Sequence, residues 1–288
     1  PGSNSLTVEA SLIPPLDLAR RLSFLIRYPH GCIEQTVSAV FPQLFLPDLV
    51  DMSDAEAART QENVSAAIDR LDAFRTSSGG FAYWPGQSEP SEWGTNYAGH
   101  FLLEARQRGY DVPDRLMSDM IRYQQERANQ WSTSSERWRQ LTQAYRLYIL
   151  ALAGSPDLSA MNRMREIRGI YDPALWRLAV AYSLAGQTRE AARLVRSADT
   201  DVDDYVELSY SYGSSVRDRA MILEALVELR RYNEAGQIAR EISERLTSDY
   251  WYSTQTTAYA LIAMSRLGAR SGPDSRLEFS YQWAGDAA

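Results

Sequence analysis

Cysteine and histidine are nearly absent from this chain: one Cys and two His in 288 residues. One cysteine excludes an internal disulfide framework, so cysteine usage does not indicate a compartment. Two histidines exclude a three-histidine zinc site, and there is no Cys-x-x-Cys, so neither a metal nor a cofactor is expected. Basic excess is also missing. The formal net charge is −7 with both signs interspersed, which argues against nucleic acid, since phosphate binding needs a basic patch. No run of about 18 apolar residues occurs, so no transmembrane helix is expected. A signal peptide is not evident either; in a domain cut from a longer protein that says nothing of location. Pro1-Gly2-Ser3 reads as a cloning remnant.

What is present suffices for a sizeable core, with 44% hydrophobic and 11% aromatic residues. Apolar runs around Phe101–Ala105, Tyr145–Leu152, Leu175–Tyr182, Ala220–Leu226 and Tyr259–Met264 lead to stops at Gly109, Gly154, Gly186, Arg231 and Gly268. The stops recur roughly every 32 to 45 residues, the length of a helical hairpin. Amphipathic segments around Ala191–Val195 and Ile238–Ile242 lie between them, so apolar helices are expected inside and amphipathic ones outside. With a helix after Cys32, about six inner helices are expected, closing as an α/α toroid in an all-α fold. The stretch from Trp176 to Ala191 echoes a tetratricopeptide helix pair, but the period between Glu190-Ala191 and Glu234-Ala235 exceeds that repeat's 34 residues. At the ends, residues 6–11 and 276–283 alternate like strands, and Pro14-Pro15 marks a boundary.

The chemistry concentrates at Tyr28-Pro29-His30-Gly31-Cys32-Ile33-Glu34-Gln35. Positions i and i+3 meet on one helix face, so the Cys32 thiol can reach the Gln35 amide. Displacing ammonia from that amide gives an internal thioester, an acyl group on a good leaving group, because a thiol has a pKa of about 8.5. Gly31 permits a tight entry to the motif. Tyr28 has two readings, core packing or an aromatic shield over the carbonyl. His30 likewise reads as a proton shuttle or as a partly exposed loop residue. Tyr83 and Trp84 are further shielding candidates. His100 lies in an apolar run and reads as a core residue. Asp201-Val202-Asp203-Asp204 is superficially like an Asp-rich cyclase motif but sits in a polar, loop-like stretch.

The motif resembles the Gly-Cys-x-Glu-Gln signature of the alpha-2-macroglobulin and complement superfamily, in the form found in bacterial alpha-2-macroglobulins. Gly79-Gly80-Phe81-Ala82-Tyr83-Trp84, Trp93-Gly94-Thr95-Asn96-Tyr97, Ser214-Ser215-Val216-Arg217-Asp218-Arg219-Ala220 and Ser253-Thr254-Gln255-Thr256-Thr257 are similar to further stretches of that family, in order from about residue 20 to 270. The resemblance implies an α/α toroid shared with terpenoid cyclases. It also implies an entry tail at 1–15 and an exit tail at 272–288 from a CUB-like β domain flanking a thioester domain at 16–271. Cys32 and Gln35 would form the cross-link, with Gly31, Glu34, Tyr28 and His30 in support. The implied role is a single-use protease trap rather than an enzyme. Lysines of target proteases would be captured after bait cleavage, in a bacterial cell envelope or periplasm, with CUB-like and macroglobulin domains adjacent and the parent a lipoprotein in some forms. Complement-type relatives carry a histidine roughly a hundred residues beyond the cysteine. None occurs between Asn129 and Tyr145, which implies direct attack by amines. Two other readings are an α/α-toroid cyclase or prenyltransferase and a tetratricopeptide-like scaffold.

Overall fold

The computed structural model describes residues 29–48, 52–248, 250 and 252–270. The strand-like tails, the boundary at Pro14-Pro15 and Tyr28 lie outside the described residues. Among those described there are eleven α-helices and no sheet, only three isolated bridges. The helices are α1 (Ile33–Val40), α2 (Asp54–Leu71), α3 (Glu92–Gln107), α4 (Asp114–Gln130), α5 (Arg137–Leu152), α6 (Leu158–Arg165), α7 (Asp172–Leu184), α8 (Thr188–Leu194), α9 (Ser215–Glu228), α10 (Tyr232–Thr247) and α11 (Thr254–Arg270).

Odd-numbered helices form the inner ring. Each packs on the next, from α1 through α3, α5, α7 and α9 to α11, and α11 packs back on α1. The even-numbered helices lie outside. Burial follows the patterning. Residues 215–227 of α9 are all buried, whereas α10 buries only Ala235, Ile238, Ala239, Ile242, Ser243 and Leu246, one stripe at helical spacing. The expected toroid of six inner helices is therefore the observed fold.

Caps set the boundaries. Ser53 and Glu56 close a capping box on α2, and Ser91 and Ser214 accept from the N–H of Gly94 and Arg217 at the starts of α3 and α9. Gly109, Gly154 and Gly186 follow inner helices with φ of +88°, +73° and +76°. Two expected stops differ. The helix before Arg231, α9, ends at Glu228, and the turn after it holds Arg230 at φ +59° while Arg231 N–H reaches the Leu226 carbonyl at 2.8 Å. Gly268 stops nothing, because α11 continues to Arg270.

The centre of the ring holds charge, supplied by charged residues inside apolar runs. His100 bonds through Nδ1 to the Tyr145 hydroxyl at 2.9 Å and through Nε2 to that of Tyr148 at 3.0 Å. Burial lowers its pKa, so the ring is neutral at physiological pH. Arg177 Nη2 lies 2.6 Å from Glu224 Oε2, and Arg266 contacts Glu104, Glu224 and Glu228.

Burial pushes the Glu104 carboxyl up, but the Arg266 charge, with His100 3.8 Å away, outweighs it and brings it down to about 2. A carboxylate depressed on folding adds stability above its unfolded pKa of 4.5 and loses it as pH falls towards 2. The contribution is of the order of 3 kcal/mol. Glu104→Gln is expected to lower stability at neutral pH and to flatten the acid limb of a stability–pH curve between pH 4.5 and 2. An unchanged acid limb in urea titrations would count against this.

Candidate functional site

Four separated sequence stretches meet at one rim of the ring. Gly31 leads into α1 at φ +89°, and Cys32, 3% exposed, is the N-cap. Gln35, one turn on, folds its side chain back, so that Cys32 N–H donates to Gln35 Oε1 at 3.3 Å. The Gln35 amide lies over Gly31: a Cβ there would come 2.1 Å from Oε1 and 3.1 Å from Cδ. Glycine is therefore needed both for the left-handed backbone and for the space the amide fills. Gly31→Ala is expected to cost about 1–2 kcal/mol from backbone strain alone, to be read by chemical denaturation, and to displace the Gln35 side chain from Cys32.

Cys32 stands at the N-terminal end of α1, where a helix presents unpaired N–H groups and a positive partial charge. Glu34 points the other way along the rim. Its Oε1 accepts from Ser38 Oγ and from Thr254 Oγ1 at the start of α11, each at 2.9 Å. Burial raises its pKa, against the pull of those two hydrogen bonds. Glu34 thus fastens α1 to α11 rather than facing Cys32. Ser214 Oγ bonds Thr256 Oγ1 at 2.8 Å, and Arg217 Nη1 reaches Gln255 Oε1 at 3.3 Å, joining α9 to the same rim.

The Gly-Gly-Phe segment is the fourth stretch. Gly79, at φ +92°, passes so close to α4 that a Cβ would meet the Asp119 carbonyl oxygen at 2.5 Å. A Cβ on Gly80 would meet Tyr123 Cζ at 2.9 Å. Phe81 is buried beyond them, and the chain emerges so that the Tyr83 carbonyl accepts from Ile33 N–H at 3.1 Å. That bond sets Tyr83 beside Cys32. Burial, together with the neighbouring Cys32 thiol and Tyr212 hydroxyl, raises the Tyr83 pKa far above 10, so its hydroxyl keeps its proton at physiological pH. Trp84 meets Tyr83 edge-on at 5.9 Å and is 46% exposed.

His30 is exposed at the lip of the motif. His100 belongs to the buried centre of the ring. Asp201 and Asp204 are exposed partners of Arg219 and, for Asp204, of Arg245, and no metal-binding cluster occurs among the described residues. Two contributors carried no sequence signal. Arg70 of α2 donates to the Gly31 carbonyl at 3.2 Å, and Tyr212 stacks on Tyr83 with centroids 5.6 Å apart and planes at 19°.

Residues 7–137 match the family model for the A-macroglobulin TED domain. The chain is 30% identical over 282 residues to the alpha-2-macroglobulin of Escherichia coli K12, covering 90% of this chain and 17% of the relative. The chain belongs to the alpha-2-macroglobulin family. Its fold agrees with Salmonella alpha-2-macroglobulin reacted with methylamine, at TM-score 0.77 and 28% identity over 89% of this chain and 18% of that one. Trypsin-activated alpha-2-macroglobulin from E. coli is similar at TM-score 0.74 and 26% identity, over 90% of this chain and 19% of that one. The chain thus corresponds to the thioester domain of a bacterial alpha-2-macroglobulin and spans about a sixth of the length of its K12 relative. The family are protease inhibitors rather than catalysts. No described helix is long and apolar enough to cross a membrane.

Proposed function

We propose that Cys32 and Gln35 form an internal thioester and that the chain is the covalent-capture domain of a bacterial protease trap. The observation that carries this reading is the Gln35 amide lying over Gly31 and against Cys32, with only a glycine able to stand beneath it. Ring closure joins Cys32 Sγ to Gln35 Cδ and releases ammonia. In the longer protein, a protease cuts a bait region elsewhere and the rim becomes accessible. The uncharged ε-amine of a protease lysine then adds to Gln35 Cδ. The C–S bond breaks, the electron pair leaves on Cys32 Sγ, and the amine proton passes to solvent or to the sulfur. An amide tethers the prey.

Each domain acts once, because the amide does not revert to the thioester. No histidine occurs between Asn129 and Tyr145, so amines attack directly. The methylamine-reacted Salmonella relative and the trypsin-activated E. coli relative fit such a reaction. In this reading the longer protein lies in the cell envelope, with CUB-like and macroglobulin domains beside this one.

Intact mass tests the reading. In the longer protein we expect a deficit of one ammonia, replaced on methylamine treatment by an adduct at Gln35 and a free Cys32 thiol. A full calculated mass with no methylamine adduct would sink it.

A further inference from the structure

Residues 195–214 connect α8 to α9, and the base of the 205–215 loop is firmly tied. Glu207 N–H donates to the Gly213 carbonyl at 2.8 Å, Ser215 N–H to that of Tyr205 at 3.1 Å, and Arg217 Nη1 to that of Ser211 at 3.0 Å. The tip holds two tyrosines in the left-handed region, Tyr210 at φ +52° and Tyr212 at φ +50°. A residue with a bulky side chain rarely adopts that conformation, and it persists only where the surroundings hold it. Here both rings are held by stacking. Tyr210 lies on Trp138 with centroids 4.4 Å apart and planes at 9°, and Tyr212 lies on Tyr83. Tyr83 is fixed from below by Ile33 N–H and stands beside the Cys32 thiol.

We propose that Tyr212 is a positioning residue. Its ring is the outer leaf of a two-tyrosine cover that holds Tyr83 against Cys32 and limits reagent access to the sulfur. The role in protecting a reactive bond rests on the thioester reading above; the cover itself does not. The cover is assigned to the stacked ring of Tyr212 rather than to its hydroxyl, which lies near that of Tyr83. The two leaves also act as one, since removing either frees the other.

Cys32 is the only cysteine, so a thiol reagent reports on this position alone. The rate of Cys32 alkylation by iodoacetamide is measured on the chain at fixed pH. For Tyr212→Ala we expect a rate raised roughly three- to tenfold, the range that loss of one aromatic pair corresponds to. Tyr212→Phe should restore the wild-type rate. Tyr83→Ala should match Tyr212→Ala, and the double variant should be no faster than either, because one cover is lost only once. Thermal midpoints separate this from unfolding, and Tyr212→Leu, which keeps bulk but loses the stacking face, carries the test if Tyr212→Ala is destabilised: an unchanged rate there overturns the proposal.

Equal rates in wild type and a folded Tyr212→Ala, or additive effects in the double variant, overturn the proposal. A full mass in every form of the protein would defeat the thioester reading instead, and would leave the alkylation result standing. Where the ring is closed, the same variants are read by thiol release.

Discussion

Cys32→Ala is expected to abolish all covalent capture of amines and proteases while leaving the helical fold nearly intact. The chemistry demands the first part. Without sulfur there is no thioester, and the Gln35 carboxamide left behind is inert to a lysine amine by comparison. The packing allows the second. Cys32 is the N-cap of α1, and the tethers around it run through neighbouring backbone: Ile33 N–H to the Tyr83 carbonyl, Thr36 N–H to the Cys32 carbonyl, and Arg70 to the Gly31 carbonyl. None uses the thiol. Truncation of one small buried side chain at a helix start should cost about 1 kcal/mol. The measurement is methylamine labelling followed by mass spectrometry, beside circular dichroism and a melting curve. Unchanged labelling in Cys32→Ala would remove the basis of the proposed function. If the proposed longer protein supplies part of the cover over the carbonyl, the chain on its own is expected to show a free Cys32 thiol. The ammonia deficit is therefore sought in the longer protein.

The ring was legible because its inner helices are apolar all round and its outer ones striped. Tyr145 to Leu152 has no polar face to speak of, and such a helix must be surrounded by others. Three of the five stops were legible as glycines. Arg230 was not, because any residue type other than glycine leaves no mark of a left-handed turn in the sequence, and the turn that holds it is read only from Arg231 N–H closing onto the Leu226 carbonyl. Gly268 misled because a glycine inside a helix costs only about 1 kcal/mol, and α11 is packed along its length.

The rim was legible in part for a different reason. Cys32 and Gln35 are local, and one turn of helix brings them together whatever the rest of the chain does. The meeting of Glu34 with Thr254 depends on ring closure between α1 and α11, which spacing alone does not reveal. Tyr212 is further removed still. Its place follows from a strained loop and from a partner, Tyr83, in another irregular segment, and neither has a periodic pattern. The charged centre was hidden by its own surroundings. Arg177 within Leu175–Tyr182 and Glu224 within Ala220–Leu226 read as polar interruptions of apolar helices. They become a pair only when α7 is seen to lie against α9.

That pair gives the largest expected change in stability. Arg177 is 1% exposed, and its guanidinium lies 4.6 Å from the Tyr148 ring centroid and 5.3 Å from that of Tyr145. Burial alone would raise the Glu224 carboxyl, yet Arg177 and Arg266 hold it below 4.5, so it is a carboxylate at the centre of the core. Removing one partner of a buried ion pair strands the other charge in a low-dielectric interior, at a cost of about 3–5 kcal/mol. Arg177→Met is therefore expected to lose that much in urea denaturation, a large share of what holds a domain folded. Arg266 Nε, 3.0 Å from Glu224 Oε1, remains as a second cation and places the loss towards the lower end of the range. The cost lies in the stranded charge rather than in the missing arginine, so the second variant is the sharper test. Arg177→Met combined with Glu224→Leu replaces both charges by apolar groups and should recover much of the loss, because a well-packed apolar pair can equal a buried ion pair. A single variant within about 1 kcal/mol of wild type would show that water or a repacked Arg266 neutralises Glu224 unaided. A double variant worse than the single would show that shape, not charge, fixes the arginine at the centre of the ring.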